Sequence, residues 1–143
     1  PAGCTIRQGR AAEARSLGAI VENAFFPDGP PEAFQDLLTP LYRMEGAITF
    51  AAEVEGKTVA CGAGLVISEH GVFAICGAGT EAQFRRRGLQ TALLYARLSA
   101  AAKAGCEFAV VVTQGGTISQ RNCERLGFRV AYSKVTVIRE LPE

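Results

Sequence analysis

The chain has 143 residues, 48% of them hydrophobic and 20% charged, with a formal net charge of +1. That length suits one domain spanning residues 1–143 with a full-sized core, and the composition excludes a disordered chain. The near-neutral balance excludes a general binder of nucleic acid, which carries a basic face across the domain. In chain order, Thr5 to Gln8 opens as a short strand, and Ala11 to Phe26 carries apolar residues at Ala14, Leu17, Val21 and Ala24, a helical spacing. Phe34, Leu37, Leu38 and Leu41 make a second helical face that Pro40 must end or kink. Ile48 to Val54, Thr58 to Ser68 and Val72 to Gly79 read as an antiparallel meander, joined at Glu55-Gly56-Lys57 and at Glu69-His70-Gly71. Leu89 to Lys103 is the strongest helix, stopped by Gly105. Phe108 to Thr113 is a short apolar strand of the kind buried on both faces. A short helix from Ser119 to Leu126 follows, with Thr117 and Gln120 at capping-box spacing and Gly127 as its stop. The tail from Phe128 to Leu141 reads as strand to the end.

No apolar run approaches the roughly 18 residues of a membrane-spanning helix, and PAGCTIRQGR lacks the apolar core of a signal peptide. A cytoplasmic protein without a membrane partner is expected. The cysteines Cys4, Cys61, Cys76, Cys106 and Cys123 form an odd set with no C-x-x-C pair, which indicates neither a disulfide framework nor a metal site. His70, the single histidine, falls in a Glu-His-Gly turn and is expected at the surface. Tyr95 and Tyr132 read as packing residues with a polar end.

The segment Thr80 to Leu94, TEAQFRRRGLQTALL, holds an electrostatic conflict. A helix N-terminus carries partial positive charge and unpaired N–H groups, so Arg85, Arg86 and Arg87 stand where acidic residues belong. A bound anion resolves the conflict. One reading places a nucleotide phosphate at Gly77-Ala78-Gly79-Thr80-Glu81-Ala82, as a G-x-G-x-x-A fingerprint. That fingerprint must open a helix directly and be followed about 20 positions later by an acidic residue, where this chain has Ala101, Ala102 and Lys103. The better placement is Arg85 to Gln90, where strand turns into helix: Gly88 lets a ligand approach the backbone, and successive amides at the helix start point at one anion.

Arg85-x-x-Gly88-x-Gln90, followed by Thr91-Ala-Leu-Leu94, resembles the Q/R-x-x-G-x-G/A motif of the GNAT acyltransferases, which cradles the pyrophosphate of acetyl-coenzyme A. Ser119 to Phe128, ending in Gly-Phe, resembles the second motif of the same family, and one helix and one apolar strand separate the two. The resemblance covers Thr58 to Val130 well and the first 50 residues only in element order. It implies an α/β fold with a mixed, mostly antiparallel sheet flanked by helices, the parallel pair being the strands around Leu89 to Lys103. It also implies acetyl-coenzyme A as co-substrate, with Arg85, Arg86, Arg87, Gly88, Leu89, Gln90 and Thr91 at the pyrophosphate and Ser119 and Asn122 as further contacts. The pantetheine arm is expected between the splayed strands, near the backbone groups of Gly77, Ala78 and Thr80, where an N–H can hold the oxyanion of the tetrahedral intermediate. The acceptor is an amine on a small molecule or a protein.

The departures from the family pattern are specific. Gln90 stands where a small residue is usual, and Ala82 where proline is usual. Cys123 replaces the tyrosine that many members use as proton donor, and Val72 to Gly79 contains no carboxylate to serve as base, so no catalytic side chain is assigned. Only 15 residues follow Phe128, which leaves the acceptor cleft either open or completed by a second copy in a homodimer. The missing acid and base also keep open a non-catalytic sensor that binds coenzyme A without turning it over.

Overall fold

The computed structural model describes residues 1–139. They belong to two compact units, Pro1–Val112 and Thr113–Glu143. The first contains β1 (Cys4–Gln8), α1 (Ala14–Phe25), α2 (Leu38–Arg43), β2 (Ala47–Val54), β3 (Lys57–Ile67), β4 (Val72–Thr80), α3 (Leu89–Lys103) and β5 (Phe108–Val111). The strands form one sheet in the order β1-β2-β3-β4-β5, antiparallel except for the β4–β5 pair. The parallel pair demands a crossover, and α3 supplies it, as the sequence leads one to expect.

The meander is pinned by its turns. Glu55 and Gly56 both have positive φ, 52° and 76°, and link Val54 to its partner Lys57 in a two-residue hairpin whose twist matches the strands. Successive strand residues then feed opposite layers, except at Val59, the extra residue of a register shift between Ala52 and Glu53, which joins the layer of Ala60. Ala51, Cys61 and Ala63 pack with Ala14, Leu17 and Val21 of α1 and Tyr42 of α2, whereas Ala52, Val59 and Ala60 pack with Leu89 and Leu93 of α3. Helices therefore cover both faces of the sheet. On α1 the buried residues Ala14, Leu17, Gly18, Val21 and Glu22 make one stripe at helical spacing. The end of α3 is closed by Gly105 at φ 76°: its N–H donates to the Ala102 carbonyl at 3.1 Å, and the Cys106 N–H donates to the Ala101 carbonyl at 3.0 Å. That pair of bonds satisfies carbonyls left over at the helix end.

Three expectations are corrected in this unit. The second helix begins only at Leu38, after a 3-10 turn at Glu32–Phe34, so Phe34 and Leu37 are exposed rather than parts of a helical face. Pro40 lies in the first turn of α2, where its missing N–H has no intrahelical partner to lose, and it starts the helix instead of ending it. Third, β5 is an edge strand of four residues with Phe108 and Val110 exposed. An apolar run alone does not distinguish an edge from an interior strand.

The second unit contains α4 (Ile118–Arg125). Thr117 Oγ1 accepts the Gln120 N–H at 3.4 Å at its start, and Gly127 at φ 89° follows its end. Residues 128–139 form no strand, against the reading of the tail, because alternation needs a hydrogen-bonded neighbour to become a strand and none pairs here among the described residues. The end of that reading, Glu140 and Leu141, lies outside the described residues. Tyr95 and Tyr132 are exposed, at 60% and 80%, and so are not the packing residues their apolar rings suggest. His70 is exposed in its turn, as expected. No helix among the described residues is long and apolar enough to cross a membrane.

Candidate active site

β4 outlasts its parallel neighbour. Pairing with β5 runs from Val72–Phe108 to Ile75–Val111, and β4 then continues alone on that side from Cys76 to Thr80. On its other side the β3 register is broken: Cys61 pairs with Gly79 and Ala63 with Cys76, so Gly77 and Ala78 together face Gly62. This is a β-bulge, which disrupts the ladder and re-aims backbone groups. Gly77 sits at φ 47°, and a Cβ there would lie 2.7 Å from the Tyr42 ring, so conformation and close approach both require glycine.

Tyr42 reaches this bulge from α2. Its hydroxyl donates to the Gly77 carbonyl at 2.5 Å and lies 3.7 Å from Cys61 Sγ. Burial, foremost, pushes the Tyr42 hydroxyl well above its ordinary pKa, so it remains a donor at any physiological pH. Burial likewise pushes the Cys61 thiol up to about 11, and that thiol donates to the Leu17 carbonyl at 3.1 Å. On the α3 face, buried Arg97 donates to the carbonyls of Leu93 at 3.1 Å and Ala63 at 3.4 Å. Gly62 makes room for it, since a Cβ there would stand 2.9 Å from the guanidinium carbon.

Beyond Thr80 the chain makes a 3-10 turn at Ala82–Phe84 and reaches the arginines. Arg85 donates to the carbonyls of Thr80 at 3.4 Å and Ala24 at 3.0 Å, tying the end of β4 to α1. Arg87 lies with its guanidinium 5.0 Å from the Phe84 ring centroid. Arg86 takes the left-handed conformation at φ 61°, unusual for a residue with a Cβ, and Gly88 does the same at φ 76°. Gly88 is the N-cap of α3 and provides no side-chain cap, and no acidic residue occupies the first turn. The Ala92 N–H donates to the Gly88 carbonyl at 3.0 Å, so the amides of Leu89, Gln90 and Thr91 precede the intrahelical ladder. Left-handed residues among consecutive amides make an anion-binding concavity, and the positive end of α3 adds to it. A cleft of about 500 Å³ opens beside these amides, lined by Pro1, Arg87, Gly88, Thr91, Ala92 and Tyr95.

The sequence-predicted residues of the first unit thus follow one another from the bulge at Ala78, through Thr80, to the first turn of α3. Their side chains differ in availability. Arg86 and Arg87 are exposed, Leu89 is buried and offers only its amide, and Gln90 donates to the Gly79 carbonyl at 3.0 Å and to Thr80 Oγ1 at 2.9 Å. Ser119 and Asn122 lie on α4 of the second unit, where Asn122 Oδ1 accepts from Arg125 at 3.2 Å. Sequence reasoning missed Tyr42, because nothing in the sequence signals a contact between positions 35 apart. It also missed Glu22, whose buried carboxylate accepts the N–H groups of Asp36 at 3.3 Å and Leu38 at 3.4 Å and so holds the α1–α2 connection.

Comparison with known proteins places this geometry among solved folds. The model of the acetyltransferase (GNAT) family matches residues 15–128. No curated protein matches the chain by sequence. AAC(6')-Iy, solved with the bisubstrate analog CoA-S-monomethyl-acetylneamine, is 20% identical with a TM-score of 0.74, over 96% of this chain and 99% of that one. An aminoglycoside acetyltransferase, meta-AAC0020, from an uncultured soil metagenomic sample, solved with sisomicin, is 15% identical with a TM-score of 0.69, over 99% and 97%. A predicted acetyltransferase from Clostridium acetobutylicum, solved with acetyl-CoA, is 14% identical with a TM-score of 0.76, over 94% and 96%. At these identities the structures share the fold.

Proposed function

The chain belongs to the acetyltransferase (GNAT) family, enzymes that use acetyl-coenzyme A, and on that premise we propose that it moves an acetyl group directly to the amine of a small, polycationic acceptor. The observation that carries the reading is the uncapped start of α3, with left-handed Arg86 and Gly88 and the exposed cationic side chains of Arg86 and Arg87, set at the end of a strand that outlasts its parallel neighbour. The amides of Leu89, Gln90 and Thr91 hold the pyrophosphate, helped by the charges of Arg86 and Arg87. Arg85 and Gln90 act by tying the end of β4 in place rather than by side-chain contact with the cofactor. Ser119 and Asn122 are further candidate contacts, on the strength of their motif.

The pantetheine arm lies along the unpaired stretch of β4 as an added strand would. The acceptor nitrogen attacks the thioester carbon, the carbonyl electron pair moves to oxygen, and a bulge amide stabilises that oxyanion. Collapse breaks the C–S bond. The amine proton passes to water, and the departing thiolate takes a proton from water, so no covalent enzyme intermediate is required.

The acceptor class is supported by the α1–α2 connection, where Asp28 and Glu32 are exposed together with the apolar surfaces of Phe25, Phe34 and Leu37. Acidic groups beside apolar patches suit an amine with several charges on a carbon frame. Two similar folds were solved with an acetylneamine conjugate and with sisomicin, which agrees with that class. The test is release of free thiol from acetyl-coenzyme A with aminoglycosides, simple polyamines and a lysine-containing peptide. Turnover with polycationic small amines supports the proposal. Preference for the peptide contradicts the acceptor class, and binding without turnover of any amine favours the sensor reading.

A further inference from the structure

Tyr42 lies in α2, on the sheet face opposite the layer of α3, and is buried at 4% exposure. Its ring stands against Gly77, and its hydroxyl is bonded to the carbonyl of that residue inside the bulge. A trans peptide is planar, so its C=O and the following N–H point in opposite directions. Holding the Gly77 carbonyl towards α2 therefore turns the Ala78 N–H away from α2. A bulged residue is the place in a strand where a backbone amide is released from the ladder. Without Tyr42, the Gly77–Ala78 peptide would be free to rotate about a residue that tolerates many conformations.

We propose that Tyr42 is a positioning residue of the acyl site: by gripping the Gly77 carbonyl it aims the Ala78 N–H at the thioester oxygen of bound acetyl-coenzyme A. The inference rests on the acetyltransferase reading and deepens it, because it names the side chain that orients the bulge amide expected to hold the oxyanion. Three features of the chain converge on that role. Gly77 has no side chain, which admits the Tyr42 ring. The bulge places Gly77 and Ala78 against Gly62 alone. Gln90 and Arg85 fix the strand just beyond, at Gly79 and Thr80, and the pairing of Cys76 with Ala63 holds it just before.

Tyr42→Phe is the informative variant, since it keeps the ring that fills the core and removes only the hydroxyl. Two readings are taken on the folded variant and the wild type: steady-state kinetics with the best amine, and the infrared stretching frequency of the thioester carbonyl in bound acetyl-coenzyme A. A misaimed oxyanion donor costs rate rather than affinity, so kcat should fall on the order of tenfold to a hundredfold while the dissociation constant of acetyl-coenzyme A changes less than about twofold. The carbonyl frequency, lowered on binding to the wild type, should return towards its value in water in Tyr42→Phe. This second reading needs no acceptor and stands even if the amine panel fails. A wild type that does not bind acetyl-coenzyme A overturns the acetyltransferase reading together with this inference. A wild type that binds without lowering the carbonyl frequency, or a Tyr42→Phe protein with a lower melting temperature but unchanged kcat and frequency, overturns this inference alone.

Discussion

Gln90, in the first turn of α3, donates from a single nitrogen to both the Gly79 carbonyl at 3.0 Å and Thr80 Oγ1 at 2.9 Å. The start of α3 is thereby fastened to the end of β4, the two elements proposed to hold the pyrophosphate and the pantetheine arm. Gln90→Leu keeps length and bulk but removes both bonds. It is expected to destabilise by about 1–2 kcal/mol in urea unfolding and to weaken coenzyme A binding several-fold. An unchanged unfolding midpoint would show that the contact carries no stability.

Arg86 combines two unfavourable features in the unliganded protein, a left-handed backbone and a positive charge near the start of α3. Arg86→Gly relieves both. The free protein should gain about 1 kcal/mol in urea unfolding, while its coenzyme A affinity falls and depends less on salt. Loss of stability in the variant would mean that Arg86 makes compensating contacts of its own.

Glu13 is bonded to Arg7 at 2.7 Å and to Arg10 at 3.2 Å, and Arg7 also meets Glu53 at 2.6 Å. Hydrogen bonds from Arg7, then Arg10, hold the Glu13 carboxyl well below the usual carboxylate range. Its folded-state value lies below its unfolded one, so its contribution is present above the unfolded value, near 4.3, and is lost as pH falls towards the folded value. Glu13→Gln should therefore melt below the wild type at neutral pH, with a gap that narrows steadily once the pH drops under about 4. A gap independent of pH would assign the loss to packing.

Cys123 is buried at 7% exposure, at the position where the resemblance to the family puts a tyrosine in many members. A packed thiol does no proton transfer, so Cys123→Ala should retain turnover within several-fold, whereas a general acid contributes about a hundredfold or more. A collapse of kcat at unchanged cofactor affinity would make it the proton donor. Cys123→Tyr restores the motif and should not reduce turnover if the side chain fits.

What the sequence discloses here is what local rules govern. The bounds of α3 coincide with the reading Leu89 to Lys103, because helical spacing and Gly105 both act within a few residues. The hairpin at Glu55-Gly56 and the left-handed Gly88 at the start of α3 are local in the same way. The edge position of β5 and the absence of a strand in residues 128–139 depend on which neighbours pair, a property alternation does not contain. Three arginines look alike in the sequence, yet Arg85 is engaged by backbone carbonyls and Arg87 by Phe84, a division that only folding makes. Tyr42 is the extreme case, since its role exists only through a contact with Gly77.

The central claim is that an anion is held at the start of α3, and thermal melting with and without coenzyme A tests it most directly, on the wild type and on Arg86→Glu/Arg87→Glu. Coenzyme A at about 100 times its dissociation constant should stabilise the wild type by roughly 2.7 kcal/mol. The double variant, unliganded, should be at least as stable as the wild type at low salt, within the roughly 0.3–1 kcal/mol of a charge–dipole contact, and should show almost no response to coenzyme A. A wild type indifferent to coenzyme A, or a double variant that responds as fully as the wild type, would contradict the account.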